Sequence, residues 1–117
     1  MKNIVFGVSL AAVLDSAAIF GFFYAWICST MWGLDAASPD LAISAMQAMN
    51  ASVRNATFAV SFFGTVPLLA LAGVLCFLVS ARRSAFWFGA AMLGYAIGGM
   101  SLTMAINVPM NEALAEV

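Results

Sequence analysis

The chain has 117 residues, of which 65% are hydrophobic and 8% are charged, and its mean hydropathy is +1.06. In soluble domains roughly a quarter of the residues are charged, so this chain has too few charged residues to cover a water-facing surface. Its net charge of −1 offers nucleic acid no basic patch, and nucleic acid is excluded as a partner. The composition predicts a single-domain integral membrane protein over residues 1–117, with room for three spanning helices of about 20 residues each.

The first predicted spanning helix covers residues of about 4–32. A cleaved signal peptide, with cleavage near Ser16, is the alternative, but the apolar run is too long for it. Ser38, Pro39 and Asp40 then provide the cap, the proline and the first-turn acid of a helix start. They predict a short amphipathic helix of about 39–52 that lies against the bundle or the lipid headgroups.

Two further spanning helices are predicted, at about residues 55–80 and 85–107. Pro67 removes a backbone donor inside the second, so we expect a kink or a helix-to-helix hydrogen bond near Phe63. Pro109 follows the third helix and predicts its end at Val108, because the residue before a proline is disfavoured in helical conformation. The predicted fold is therefore an all-α transmembrane bundle of three spanning helices plus one interfacial helix.

The positive charges predict the orientation of this bundle. Lys2 and the pair Arg82 and Arg83 fall on one side of a three-helix arrangement. The positive-inside rule places that side, with the N-terminus, in the cytoplasm and residues 33–54 outside, as for a protein of a bacterial inner membrane. Small residues four apart, at 17, 21 and 25 and at 90, 94 and 98, predict close helix packing within the bundle or against another subunit.

The absence of histidine limits the chemistry of the chain. Histidine is the usual zinc ligand, the usual proximal haem ligand and the commonest general base, and two cysteines cannot hold an iron–sulfur cluster. No glycine-rich phosphate loop is present, and the eight methionines are more typical of packing than of copper(I) binding. We therefore expect no metal ion and no cofactor.

Several phrases of the sequence resemble the anthrone oxygenase-like family of small membrane proteins, whose bacterial members are mostly a domain of unknown function. They are GFFYAW at 21–26, Met31 with Gly33 and Leu34, Ala45-Met46-Gln47 with Met49 and Asn50, Asn55 with Phe58, and Asn107-Val108-Pro109-Met110-Asn111 with Leu114. The resemblance implies a bundle of four spanning helices. In fungal members it implies oxidation of an anthrone to an anthraquinone by dioxygen without a cofactor. Two features depart from the family pattern: the sequence reaches Val117 without the tryptophan-rich fourth helix, and Asp15 lies inside the first.

All of these phrases fall on the outer side of the predicted bundle. The hypothesis is a pocket there, in which amides hydrogen-bond a small aromatic substrate while aromatic side chains pack on its ring. The candidate catalytic residues are Tyr24 and Asn107. The candidate ligand-binding residues are Trp26, Met31, Gln47, Asn50, Arg54 and Asn111. The alternative is that the amides only cap helix ends and tie the external segment to the bundle.

Asp15 is the one charged residue in the middle of a predicted spanning segment, and an intramembrane acid is a functional candidate by default. The favoured alternative is a neutral carboxylic acid hydrogen-bonded to Ser61, Thr65 or Ser101.

Three functions remain open at this level. The first is an oxygenase for an aromatic substrate, and the second is an accessory or structural subunit of a larger membrane assembly or homo-oligomer. A transporter ranks third, because only Asp15 fits the mid-depth polar site that transporters use. Membrane lipid is a partner in all three.

Overall fold

The computed structural model describes residues 1–117 and contains helices but no strands. Helix α1 covers Lys2–Asp35, α2 covers Pro39–Val53, α3 covers Ala56–Leu78 and α4 covers Arg82–Leu114. Helices α1, α3 and α4 are long and apolar enough to cross a membrane, and α2 is a shorter helix between the first two. The prediction of an all-α bundle with three spanning helices and one short helix is confirmed, and the chain is an integral membrane protein.

Two of the spanning helices contain π-helical turns. In α1 the turn covers Trp26–Thr30, and in α4 two turns cover Ala96–Ser101 and Thr103–Asn107. Helix α4 therefore continues past the end expected at Val108. Pro109 lies in the first turn of the closing α-helical segment Val108–Leu114, where its missing N–H costs no α-helical hydrogen bond.

Helix α3 is the centre of the bundle and packs against both α1 and α4. Its buried residues recur three and four apart and form one stripe along the helix: Phe62, Thr65, Leu69, Ala72 and Cys76. Leu69 and Ala72 pack with Ala12 of α1 in a small apolar core. On the α4 side, a Cβ built on Gly73 would lie 3.5 Å from the Cβ of Phe88, so the two helices approach closely there. Small residues at these contacts permit the close packing that holds helices together in lipid.

The bundle is elongated, with extents of 56 × 23 × 22 Å. We call its two ends the arginine end, which carries Lys2, Arg82 and Arg83, and the α2 end. Ser9 Oγ lies 3.7 Å from Cys76 Sγ near the arginine end, and Gln47 of α2 contacts Leu114 at the other. Helix α1, at 34 residues, is about 50 Å long, whereas the hydrocarbon layer is about 30 Å thick. Helix α1 is therefore longer than the apolar layer is thick, and it can tilt within the layer or extend beyond it.

Candidate functional site

An open pocket of about 630 Å³ lies between α1, α2 and the first turns of α3. We call it the α2 pocket. Three aromatic side chains line it, namely Phe22, Trp26 and Phe58. Five of the other lining residues are polar and uncharged: Thr30, Ser52, Asn55, Thr57 and Ser61. Aromatic walls with a few polar groups are typical of small-molecule sites.

The aromatic wall of the α2 pocket is held by contacts between helices. The ring centroids of Phe22 and Phe58 lie 4.9 Å apart, and those of Phe22 and Trp26 lie 6.1 Å apart. Phe58 in turn stacks on Phe62 at 5.1 Å. Because Phe22 and Trp26 are four residues apart on α1, they share one face of that helix. The wall therefore follows from one face of α1 packing against the first turns of α3.

Asn55 forms the edge of the pocket and also starts α3. Its Oδ1 accepts a hydrogen bond from the Phe58 backbone N–H at 3.0 Å, and its Nδ2 donates to the Ser52 carbonyl at 2.7 Å. This is an N-cap, which satisfies a backbone donor of the first turn. The side chain of Asn55 thus fixes the position of Phe58 in the wall.

The structure separates the candidate residues of α1. Trp26 lines the α2 pocket, but Tyr24 does not. Residues two apart on a helix point about 200° apart, and Tyr24 lies on the other face, 56% exposed and stacked on Phe20 at 5.8 Å. Met31 is also exposed and outside the pocket.

The candidates on α2 and at its C-cap, Arg54, contact the end of α4 or remain without a partner. Gln47 Nε2 donates to the Leu114 carbonyl at 2.9 Å. Arg54 lies 3.9 Å from Glu112, and both side chains are 62% exposed, so this ion pair stabilises little. The Asn50 Nδ2 is buried without a hydrogen-bond partner.

Asn107 and Asn111, the two candidates on α4, are exposed and half-buried respectively, and neither lines the α2 pocket. The candidate set is therefore not one cluster. Trp26 belongs to the pocket, whereas Gln47 and Arg54 join α2 to α4.

A second polar site joins all three spanning helices inside the bundle. We call Asp15, Ser61, Thr65 and Tyr95 the polar cluster. Thr65 Oγ1 lies 2.9 Å from Asp15 Oδ2 and 2.6 Å from the Ser61 carbonyl oxygen, and the Tyr95 hydroxyl donates to the Phe62 carbonyl at 2.8 Å. A helix-to-helix bond was expected near Phe63 because of Pro67, and the one observed involves the neighbouring carbonyl of Phe62.

Sequence reasoning named Thr65 among three partners for Asp15 but did not single out Tyr95. The available signal was a phenol in an apolar helix, because a tyrosine hydroxyl within a bundle usually finds a hydrogen-bond partner. Ser61 belongs both to the polar cluster and to the lining of the α2 pocket. The two sites therefore adjoin at one turn of α3.

No group of three or more histidine, cysteine, aspartate or glutamate side chains is arranged to hold a metal ion, and both cysteines are free thiols. Searches of protein-family models, of curated proteins and of solved structures give no match for this chain. Membership of the anthrone oxygenase-like family therefore stays a prediction from the sequence.

Proposed function

We propose that this membrane protein binds a small planar aromatic molecule in the α2 pocket. The observation that carries the proposal is the wall of Phe22, Trp26 and Phe58 around a volume of about 630 Å³, which is of the size that small-molecule sites have. The resemblance to the anthrone oxygenase-like family makes an anthrone the first ligand to test. With the arginine end in the cytoplasm of a bacterial inner membrane, the pocket would open near the outer face.

The proposed reaction is oxidation of the bound anthrone by dioxygen. One oxygen atom becomes the second carbonyl of the anthraquinone, and the other leaves as water with the two hydrogens of the ring carbon. Loss of a proton from that carbon gives an electron-rich anion, so the protein has to bind the ring, orient it and exclude water. Hydroxyl groups of Thr57 and Ser61 are suitable donors to the existing carbonyl, whereas the Ser52 hydroxyl already donates to the Met49 carbonyl at 3.0 Å. Tyr24 has no part in this proposal, because it faces away from the pocket.

Binding can be measured by the fluorescence of Trp26 in a variant whose other two tryptophans are replaced by phenylalanine. Anthrone added without oxygen, or anthraquinone, should quench this fluorescence to saturation. Phe22→Leu should weaken binding about threefold to tenfold, because an aromatic pair contributes about 0.5–1.5 kcal/mol. Phe20→Leu is the matched control on the exposed face. Quenching that does not saturate, or equal effects of the two variants, would refute the binding proposal.

The reaction is tested separately, in vesicles that contain the purified protein. Anthrone should consume dioxygen and produce anthraquinone faster than in vesicles without protein, and Phe22→Leu should lower that rate. Saturable binding without faster oxygen uptake would leave a binding protein and rule out the oxygenase.

A second function, as a self-associating subunit, is favoured by the two small-residue stripes. Gly21, Gly94 and Gly98 have no heavy atom within 4 Å of a Cβ built on them, apart from their own helix, so no neighbouring helix covers them. Such stripes permit close helix approach in lipid, and a second copy of this chain is the partner that we propose. Gly94→Leu should convert a detergent-solubilised dimer to a monomer in sedimentation. A wild-type protein that is monomeric at every concentration would contradict this candidate.

A further inference from the structure

The arginine end of the bundle carries positive charge only. Lys2, Arg82 and Arg83 lie there. The fifth acid of the chain, Asp15, is in the polar cluster. The other four belong to segments at the α2 end: Asp35, Asp40, Glu112 and Glu116. An end with this charge distribution attracts the anionic headgroups of a membrane leaflet.

Helix α4 begins at this end with an uncapped first turn. Its N-cap residue Ala81 has no side chain that accepts a hydrogen bond, so the first backbone N–H groups of α4 have no side-chain partner. The Arg82 guanidinium lies 4.7 Å from the centroid of the Phe77 ring, and this cation–π contact holds it beside the helix start. Arg83 follows and is exposed. Two arginines at the start of a helix whose first N–H groups have no side-chain partner are suitable for binding a phosphate group.

An apolar groove of about 390 Å³ opens at the same turn of α4. We call it the α1–α4 groove. Four residues of α4, two of α1 and one of α3 line it: Ser84, Trp87, Phe88, Ala91, Val13, Ser16 and Leu69. Because Ser84 follows Arg83 directly, the groove leads from the uncapped helix start into the apolar part of the bundle. Its position and lining are suitable for a hydrocarbon chain.

Ser84 lies where the charged end meets the groove. It directly follows Arg83, is exposed and lines the groove. The ester carbonyl of a phospholipid lies between the phosphate and the acyl chain, so a lipid with its phosphate at the helix start places that carbonyl near Ser84. A serine hydroxyl is a suitable donor to such a carbonyl.

We propose that the arginine end binds one anionic phospholipid, with its phosphate at Arg82, Arg83 and the first turn of α4 and an acyl chain in the α1–α4 groove. The ester carbonyl would accept a hydrogen bond from a serine hydroxyl of the groove. Free inorganic phosphate has the same charged group but nothing to fill the groove, so the headgroup alone does not account for the site. This proposal is independent of the ligand in the α2 pocket.

Trp87 lines the groove and reports its occupancy directly. In the full chain, purified in detergent and with the other two tryptophans replaced by phenylalanine, Trp87 is titrated with phospholipids that carry brominated acyl chains. Bromine quenches tryptophan on contact. Brominated phosphatidylglycerol should quench at about a 25-fold lower mole fraction than brominated phosphatidylcholine, since each arginine near a membrane surface contributes about a fivefold preference for anionic lipid. Added salt should reduce the difference in the same protein, because it screens exposed charge.

Three variants separate the parts of the site. Replacing both Arg82 and Arg83 by glutamine should remove the preference and leave phosphatidylcholine unchanged. Ala91→Leu should weaken quenching by both lipids, because it fills the groove without changing charge. Arg54→Gln is the matched control at the α2 end and should change neither lipid. Helical content by circular dichroism identifies variants that fail to fold. If the arginine variant is among them, the salt dependence of lipid binding by the protein with both arginines tests the charge contribution instead.

Several results would overturn the proposal. Equal quenching by the two lipids would do so, and so would a preference that survives the loss of both arginines. Displacement of the lipid by millimolar inorganic phosphate would indicate a simple anion site. If the protein sediments as a dimer and neither lipid quenches Trp87, a second copy of the chain fills the groove.

Discussion

A single methyl group at Gly99 should displace Tyr95 and break the bond between α4 and α3. A Cβ built on Gly99 would lie 2.7 Å from Cδ2 and 2.8 Å from Cε2 of the Tyr95 ring. Carbon atoms in ordinary contact are about 3.5–4.0 Å apart, so Gly99→Ala requires the ring to move by about 1 Å. The Tyr95 hydroxyl bond to the Phe62 carbonyl is 2.8 Å long, and a displacement of this size takes it beyond useful hydrogen-bond length.

The expected change in the free energy of unfolding combines lost contacts with an opposing gain in helix propensity. The lost hydrogen bond costs about 0.6 kcal/mol on average and up to about 1.7 kcal/mol between membrane helices. The ring centroids of Tyr95 and Phe62 lie 6.4 Å apart in the unsubstituted protein. Weaker packing of these rings adds about 0.5–1.5 kcal/mol to the cost. Alanine is favoured over glycine in a helix by about 1 kcal/mol. In the monomeric protein Gly98→Ala measures that gain alone, because a Cβ there meets no atom of the chain within 4 Å. Gly99→Ala should therefore be less stable than Gly98→Ala by about 1–3 kcal/mol.

The free energy of unfolding in mixed micelles, titrated with a denaturing detergent, measures this difference. The same two substitutions in a Tyr95→Phe background complete the test. Phenylalanine keeps the ring and the clash but has no hydroxyl bond to lose, so the cost of Gly99→Ala should fall by about 0.6 kcal/mol or more. Equal stabilities of Gly99→Ala and Gly98→Ala would refute the displacement of the ring. An unchanged cost in the Tyr95→Phe background would show that the hydroxyl bond is not involved.

Three further predictions concern the polar cluster, the α2 end and the orientation. The Thr65 hydroxyl donates to Asp15 Oδ2 at 2.9 Å and so joins α3 to α1, and the side-chain oxygen of an asparagine at position 15 can accept the same hydrogen bond. Asp15→Asn should keep the thermal unfolding temperature in detergent, whereas Thr65→Val should lower the free energy of unfolding by about 1–2 kcal/mol. A large loss of stability in Asp15→Asn would show that the charge is needed. Gln47→Ala should cost about 1 kcal/mol of stability without changing Trp26 quenching, so weaker quenching would place this amide at the ligand. With the native cysteines removed, a cysteine introduced at Ala37 should react with an impermeant maleimide on intact cells and one at Ser84 should not, and reversed labelling would invert the proposed orientation.

Composition and hydropathy alone determined that the chain is a membrane protein with three spanning helices. Apolar runs of this length have no other stable environment, and lipid leaves the backbone no alternative to helix unless a barrel can close. The start of α2 was also readable, because Ser38, Pro39 and Asp40 act locally. Helical periodicity could have separated Tyr24 from Trp26 as well, since residues two apart cannot share a face. These features depend on chain-local physics.

Only the tertiary structure decided which faces meet. A helix that is apolar all round has no amphipathic pattern to mark its buried side, and its contacts follow from the shapes of neighbouring side chains instead. The choice of Thr65 as the partner of Asp15, the contact of Gly99 with Tyr95 and the site that joins three helices all depend on that packing. The π turns that carry α4 past Pro109 were equally unreadable, because proline alone predicts a break. The sequence therefore determined what spans the membrane, and side-chain complementarity determined how the spanning helices meet.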